Sequence, residues 1–368
     1  MFLRVQHPSL IYKSGINNAQ AGLSLNLEGR HVVIKGPLDL EVEKYSIDSD
    51  VGNSEFIVKN RYTAISAGTE LSIYTGTNPK VYEPNSWCNY PHIPGYAGLG
   101  EVIAAGSEVD LKPGDLVFHH AHHSTYDKLY DGYSHYAKIS EDLFLPEVSL
   151  VRFAAIVLSG SVRLSKIELG DKIALIGLGI IGQMASQLFT LAGGDVIAFD
   201  PVNFRRTVAK RTGYCLEIYD PSRTNPKDIA SEFNDGKGVD TLLDATGVSQ
   251  LIIANVDLVR PMGQVILLGS PFTSYNADVT QLLRQIHLKW LTVRGGLERD
   301  QISPPGDNSP HSYIRDVVYL LDLVRRRKLK VKELASHVVA PEEMKRAYEG
   351  LLDNKEEYMA VVIDWDKF

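Results

Sequence analysis

Four histidines fall within five positions, His119, His120, His122 and His123, in the stretch FHHAHHSTY at residues 118–126. Imidazole is the commonest metal-ligating side chain and titrates nearest neutral pH. The cluster could therefore bind a metal, exchange protons in a reaction, or be a solvated loop. A second stretch, IALIGLGIIG, sets Gly177, Gly179 and Gly182 in the spacing G-x-G-x-x-G. Its chemistry is phosphate binding. Glycines at these places permit a tight turn, close approach of backbone to a pyrophosphate, and close packing of helix on strand. The loop and helix start, Gly177, Leu178, Gly179, Ile180, Ile181 and Gly182, offer free N–H groups to an anion. The next apolar run, DVIAFD, ends at Asp200, near the distance at which a carboxylate meets the adenosine ribose hydroxyls of a dinucleotide. Such an acid repels a 2′-phosphate and favours NAD(H) over NADP(H). Arg205 and Arg206 lie close by and act against that preference.

The elements that must position these groups fall into two textures. Residues 31–140 read as short strands, HVVIKG, EFIVKNRYTAIS, AGLGEVIAAG, GDLVFHHA and SHYAKI, punctuated by Gly, Pro, Asn and Asp. From about residue 153, RFAAIVLSGSVRLSKIEL has helical apolar spacing. Strands and helices then alternate: KIALIGL, a helix over IIGQMASQLFTLAG, DVIAFD, a helix over NFRRTVAKRTG, VDTLLDAT, a helix near VSQLIIANVDLV, GQVILLG and KWLTVRG. Continuous apolar strands alternating with helices predict a parallel sheet covered on both faces. ISPPGDNSP is read as a loop, SYIRDVVYLLDLVRRR and the stretch after APEEMKRAYEG as helices, and YMAVVID as a last strand. A β-rich domain is thus expected to bracket an inserted α/β domain.

Length agrees, because single cores stop growing near about 250–300 residues and the chain has 368. A net charge of −7 argues against a nucleic-acid partner. The basic run RRRKLK (325–330) is read as a solvated helix end, where cations suit the dipole. Two cysteines, Cys88 and Cys215, exclude a disulfide scaffold and a four-cysteine zinc lobe and fit a reducing cytosol. The start, MFLRVQHPSL, lacks a signal-peptide core, and no apolar run reaches the roughly 18 residues of a membrane span. A cytoplasmic protein without membrane contact is expected.

The order AISAGTEL, HIPGYAGLGEVIAAGSEVDLKPGDLVF, GYSHYAKI, GLGIIG resembles the medium-chain dehydrogenase/reductase superfamily, the zinc alcohol dehydrogenase-like proteins. The resemblance covers nearly everything from about residue 31, and residues 1–30 form an extension without a counterpart. It implies an α/β chain. A GroES-like substrate domain would comprise residues 1–154 and 298–368, and a Rossmann doubly wound parallel sheet residues 155–297. It implies hydride transfer between a nicotinamide and a CH–OH group, with further cofactor contacts from Ala245, Thr246, Gly247, Leu268, Gly269 and Ser270. It also implies a homodimer or homotetramer, with GQVILLGSPF (263–272) as an apolar candidate for pairing.

The departures from the family pattern carry as much. Where zinc-dependent relatives have a cysteine, this chain has Ala67. Where they have a His-Glu pair, it has Tyr96 and Ala97. Near the third ligand it has Arg152, and HHAHHSTYDKLYD replaces the structural-zinc lobe. No zinc is expected. The resemblance places Thr69 at the hydroxyl that passes the alcohol proton, and His120 and His122 at or near the substrate cleft. Strand alternation would put those two histidines on one face. Candidate catalytic residues are therefore Thr69, Glu70, Tyr96, His120 and His122, with Glu70 read as a base, a helix-start acid or an ion-pair partner. Tyr126, Tyr133 and Tyr136 are further aromatics near the cleft segment. The wording of SAGTE and PGY is similar to dehydrogenases of cyclic or sugar-like alcohols, including the bacteriochlorophyllide dehydrogenase type. The leading expectation is a zinc-independent, NAD(H)-linked oxidoreductase acting on a small hydroxylated compound. The alternatives are a quinone or enone reductase, a zinc enzyme with a relocated site built from His120 and His122 with Glu70 or Asp127, and a non-catalytic nucleotide-binding protein.

Overall fold

A computed structural model describes residues 26–132, 135–298 and 311–367. The chain opens with β1 (Asn26–Gly36) and β2 (Asp39–Asp48), an antiparallel pair that forms its own sheet. There follow β3 (Glu55–Ala64), α1 (Thr69–Tyr74), β4 (Gly98–Ala105), β5 (Leu116–His119), β6 (Tyr126–Tyr130) and β7 (Tyr136–Ile139). Helix α2 (Val151–Val157) runs into a π turn over Leu158–Val162. Strands and helices then alternate through β8 (Lys172–Ile176), α3 (Ile180–Leu191), β9 (Asp195–Phe199), α4 (Asn203–Thr212), β10 (Glu217–Tyr219) and α5 (Pro226–Phe233). The alternation continues with β11 (Val239–Asp244), α6 (Ser249–Asn255), β12 (Val259–Leu267), α7 (Thr280–Lys289) and β13 (Thr292–Gly295). The chain closes with α8 (Tyr313–Arg325), β14 (His337–Val339), α9 (Met344–Asp353) and β15 (Val361–Asp364).

Two larger sheets result. The first runs β14-β15-β3-β4-β5-β7, with β6 also pairing on β3, so the C-terminal strands return to the N-terminal part. The second runs β10-β9-β8-β11-β12-β13, and each of its pairs is parallel. Burial explains both textures. In β8, KIALI, four residues in succession are buried, because helices cover both faces. Ile173 and Leu175 enter one core while Ala174 and Ile176 enter another. In β2, by contrast, exposed and half-buried residues dominate, and the reading above passed over it.

The second sheet also reads out where a ligand sits. Its order reverses between β8 and β11. In open α/β sheets the crevice beyond the strand ends at such a point is the binding place. Helix α2 straddles the expected domain boundary at 154 and shares its core with both parts through Phe118, Phe153, Leu175 and Leu178. β12 is flanked by β11 and β13, so GQVILLG is an interior strand and β13 is the sheet edge. The basic run fits a helix end: Arg325 closes α8 and pairs with Asp142, and Lys330 donates to the Thr212 carbonyl. No helix among the described residues is long and apolar enough to cross a membrane. Most of the N-terminal extension, Tyr133 and the ISPPGDNSP loop lie outside the described residues.

Candidate active site

The glycine loop leaves β8 at the point of reversal. Gly177 has φ +93, where side chains are strained, and a Cβ on it would lie 2.7 Å from Thr246 Cγ2. A Cβ on Gly182 would sit 2.0 Å from the Gly177 carbonyl oxygen, so α3 and the loop touch backbone to backbone. Gly179 differs, because a Cβ there would meet nothing within 4 Å. The open space lies at the N-terminus of α3, where free N–H groups favour an anion. Ile180 is buried and Ile181 half-buried as α3 begins.

Asp200 closes this end. It is 1% exposed and accepts from Leu178 N–H at 2.7 Å and Val202 N–H at 2.8 Å. Arg205 Nη1 stands 3.7 Å from it, and Arg205 Nε has no hydrogen-bond partner. Arg206 turns away to the Asp200 and Pro201 carbonyls and to Asp220. Opposite, Asp244 accepts from the Thr246 and Gly247 N–H groups and the Thr246 hydroxyl. Its carbonyl accepts from Leu268 and Gly269, each at 2.8 Å. A Cβ on Gly247 would lie 2.4 Å from the Ser270 carbonyl oxygen, and Ala245 Cβ packs beside Gly182. Burial raises the Asp244 carboxyl, against the pull of these donors. The open space at Gly179, the N–H groups at the start of α3 and the buried Asp200 carboxylate beside Leu178 thus lie together, and their chemistry suits a dinucleotide.

The other end of the site is built by α1, the 92–97 loop, α2 and the segment after β13. Tyr96 donates to the Ser66 hydroxyl and lies beside Thr69. Burial raises its phenol above the usual range, against that hydrogen bond and the nearby Arg152 charge. Arg152, 6% exposed, sets its guanidinium 5.3 Å from the Tyr96 ring and 5.4 Å from the Tyr313 ring. Glu298 binds it at both ends, Nη2–Oε2 2.5 Å and Nη1–Oε1 3.2 Å. Tyr313 shares a 2.6 Å hydrogen bond with His120 Nε2, and His120 stacks on His135 with ring centres 5.0 Å apart.

The four histidines have four fates. β5 ends at His119, so strand alternation does not reach His120 or His122, and the expectation of a shared face fails on that ground. His119 is buried and bonds Asn60 at 2.8 Å. His120 faces Tyr313 and Arg152. Burial, Arg152 and His135 hold it well below its ordinary pKa, so it is not the group poised near neutral pH that its type suggested. His122 turns instead to Asp127, Nδ1–Oδ1 2.9 Å. Surrounding protein disfavours its charge, but the charge and hydrogen bond of Asp127 together outweigh this and raise its pKa.

His123 is buried between Thr63 and Glu70, at 2.8 and 3.0 Å. Trp365 donates to Thr63 at 2.9 Å, and the Glu70 carboxylate also accepts from Ser66 N–H and the Tyr348 hydroxyl. Glu70 thus meets His123, Ser66 and Tyr348 within the core. Glu70 pairs with His123, and Asp127 with His122. Among the described residues no three His, Cys, Asp or Glu side chains group to hold a metal. Tyr126 packs in β6 against Tyr45, and Tyr136 donates to Asp131.

Sequence reasoning missed Ser66, His135, Glu298 and Tyr313 as members of this end, and read Arg152 only as a lost ligand. An arginine within the apolar run SLVRFAAIV was a usable signal. Tyr313, 193 residues from His120, gave none.

Residues 52–147 match the family "Alcohol dehydrogenase GroES-like domain" and residues 181–303 the family "Zinc-binding dehydrogenase". The L-threonine 3-dehydrogenase of Caldanaerobacter subterraneus subsp. tengcongensis is 26% identical over 67% of this chain and 81% of its own. The 2-desacetyl-2-hydroxyethyl bacteriochlorophyllide A dehydrogenase of Cereibacter sphaeroides is 26% identical over 65% of this chain and 73% of its own. Galactitol-1-phosphate dehydrogenase from Escherichia coli shares the fold, with a TM-score of 0.76 at 20% identity over 91% of this chain and 100% of that one. The chain belongs to the medium-chain dehydrogenase/reductase superfamily, as an alcohol dehydrogenase-like oxidoreductase with a GroES-like domain and a Rossmann-type domain.

Proposed function

We propose that this chain moves a hydride between NAD(H) and the CH–OH carbon of a small hydroxylated compound, a polyol, sugar derivative or cyclic alcohol, without zinc. The observation that carries the reading is the meeting of Thr69, Tyr96 and His120 with the Arg152–Glu298 pair. The zinc that the family name implies does not fit the donors at the corresponding places. Ala67 has none, the Tyr96 phenol is held protonated, and Arg152 brings a positive charge of its own.

When bound, the nicotinamide supplies the hydride acceptor or donor; orientation and charge are the protein's part. Gly179 and the N-terminus of α3 hold the pyrophosphate, and Asp200 takes the adenosine ribose. The Thr69 hydroxyl, able to donate and accept at once, passes the alcohol proton. Tyr96 turns its hydroxyl from Ser66 to the substrate oxygen and fixes it by hydrogen bond. His120, kept neutral, serves as a fixed hydrogen-bonding wall. One specific observation favours a second reading. Arg205, with an unpartnered Nε beside Asp200, suits a 2′-phosphate and hence an NADPH-linked reductase of carbonyls or activated double bonds. Pairing with a second copy along the β13 edge, beside exposed Trp290 and Leu297, belongs to the same proposal.

The test is a panel of polyols, sugar alcohols and cyclic alcohols with NAD+ and NADP+, alongside ketones and quinones with the reduced cofactors, with metal content measured on the same protein. NAD+-dependent oxidation at negligible zinc is the expected result. Turnover confined to quinones or enones with NADPH would favour the second reading, and cofactor binding without turnover would sink both.

A further inference from the structure

We propose that the Arg152 guanidinium takes the electrostatic place of a metal ion. Gripped by Glu298 between the rings of Tyr96 and Tyr313, it is the fixed cation that positions the substrate oxygen and stabilises its negative charge. The inference rests on the reading that the site handles a CH–OH oxygen.

Three observations carry it. First, Arg152 lies against the Tyr96 ring and Tyr96 donates to Ser66 beside Ala67, so a cation stands at the places Ala67 and Tyr96 where the family resemblance implies metal ligands and near the third. Second, the guanidinium is under-used. Of its five N–H donors, Glu298 takes two, and Nε is buried with no hydrogen-bond partner. Third, Glu298 is its one carboxylate partner among the described residues and aromatic faces box the rest, so the guanidinium is held fixed with N–H groups left to donate to an oxygen.

A purely structural ion pair is the competing account, since Glu298 lies beyond β13 and Arg152 on α2. A buried ion pair is, however, weak at stabilising a fold, and this one lies against Thr69, Tyr96 and His120 rather than in an inert part of the core. The same charge helps hold His120 neutral, which leaves no second cation competing for the oxygen. Arg152 is thus a catalytic residue, acting on the substrate oxygen directly. In the oxidising direction the hydroxyl proton passes through the half-buried Thr69 hydroxyl to solvent water, and the hydride leaves the carbon for the oxidised nicotinamide. Between these two transfers the oxygen carries a negative charge that a neighbouring cation lowers in energy.

Two arms test this. Arg152→Gln and Arg152→Lys are compared on whichever alcohol of the panel the wild type turns over, with NADH affinity and unfolding midpoint measured on each. Arg152→Gln is expected to lower kcat about 100-fold, to move the rising limb of the oxidation pH profile to higher pH, and to leave NADH affinity unchanged. Arg152→Lys, which keeps the charge, should recover about tenfold of that loss. A kcat for Arg152→Gln within about threefold of wild type, or a loss that Lys does not recover, overturns the proposal.

The second arm needs no activity. The triple variant Ala67→Cys, Tyr96→His, Arg152→Cys removes the cation and restores donors at the same three places. It is expected to bind about one zinc per chain by mass spectrometry, with the wild type binding none. Zinc in the wild type, or a folded triple variant without zinc, overturns the proposal. A wild type inert on every alcohol would defeat the functional reading alone, and the zinc arm would then decide this one.

Discussion

The two ends of the candidate site rest on different kinds of constraint. At the nucleotide end, glycines, helix start and rim carboxylate sit where backbone geometry demands them. A Cβ on Gly182 would strike the Gly177 carbonyl at 2.0 Å, and no side-chain adjustment relieves a backbone contact. At the substrate end the constraint is charge, and charge can be supplied in more than one way. Under the proposal above, the Arg152 cation between Tyr96 and Tyr313 would answer the electrostatic need that a metal meets, with different atoms. Backbone requirements fix residue type; electrostatic requirements fix only sign and place.

The largest effect that could break this contrast lies at the nucleotide end. Gly182→Ala should cost about 3 kcal/mol of stability by overpacking and remove measurable NADH binding. Gly179→Ala, whose Cβ meets nothing, should leave the unfolding midpoint unchanged and weaken NADH about tenfold or more by filling the cradle. Both are read by denaturant unfolding and NADH fluorescence titration. Equal effects in the two variants would mean that the glycines answer to fold alone.

At the substrate end the expected losses are kinetic. Thr69→Val keeps the shape and removes the hydroxyl. It should lower kcat about 100-fold with NADH affinity within about twofold of wild type. An unchanged kcat would show that the alcohol proton leaves by another route. Such a result would strip Thr69 of its place beside Tyr96 while leaving the nucleotide end untouched.

Much of the nucleotide end was legible because its signals are local. G-x-G-x-x-G, the strand before it and Asp200 lie within about one βαβ unit. The parallel sheet was legible from runs such as KIALI, buried at four successive positions. β2 and β6 were not, because their polar alternation looks like loop. The substrate end was legible only in part. Thr69 and Tyr96 came from the family pattern, but their partners Glu298 and Tyr313 lie far along the chain. The histidine cluster misled because four like residues in five positions invite one role. The strand that would have sorted them ends at His119, and Glu70, Asp127, Asn60 and Tyr313 divide them.

Cofactor preference gives a smaller and sharper test. Asp200 favours the free ribose hydroxyls and Arg205 opposes it from 3.7 Å. NADH is expected to bind about tenfold more tightly than NADPH, and Arg205→Ala should widen the ratio. A ratio that narrows would show that Arg205 serves Asp200 by ordering it, and that the carboxylate alone does not set the preference.

The smallest expected effect on activity is at His122, two positions from His120. Its Nδ1 is tied to Asp127, which also accepts from the His122 N–H and from Asn60. His122→Gln should keep kcat within about threefold of wild type, since its partners lie apart from Tyr96 and Arg152. Its signature is in stability. The pKa of His122 is raised in the fold by Asp127, so its contribution is fully present below the unfolded value of 6.5 and disappears as pH rises through the raised value. The variant should therefore lose more stability at low pH than at high pH within that window, in urea titrations at fixed pH. Asp127 acts in the opposite sense. Its pKa is lowered by His122, His119 and Asn60 against burial, so its share is present above the unfolded value and is lost as pH falls through the lowered one. A His122 variant equally destabilised at both ends of its window would mean that the Asp127 bond is ordinary packing. A large fall in kcat would move the acid–base chemistry from the Tyr96–Arg152 end to the Asp127 side of the loop.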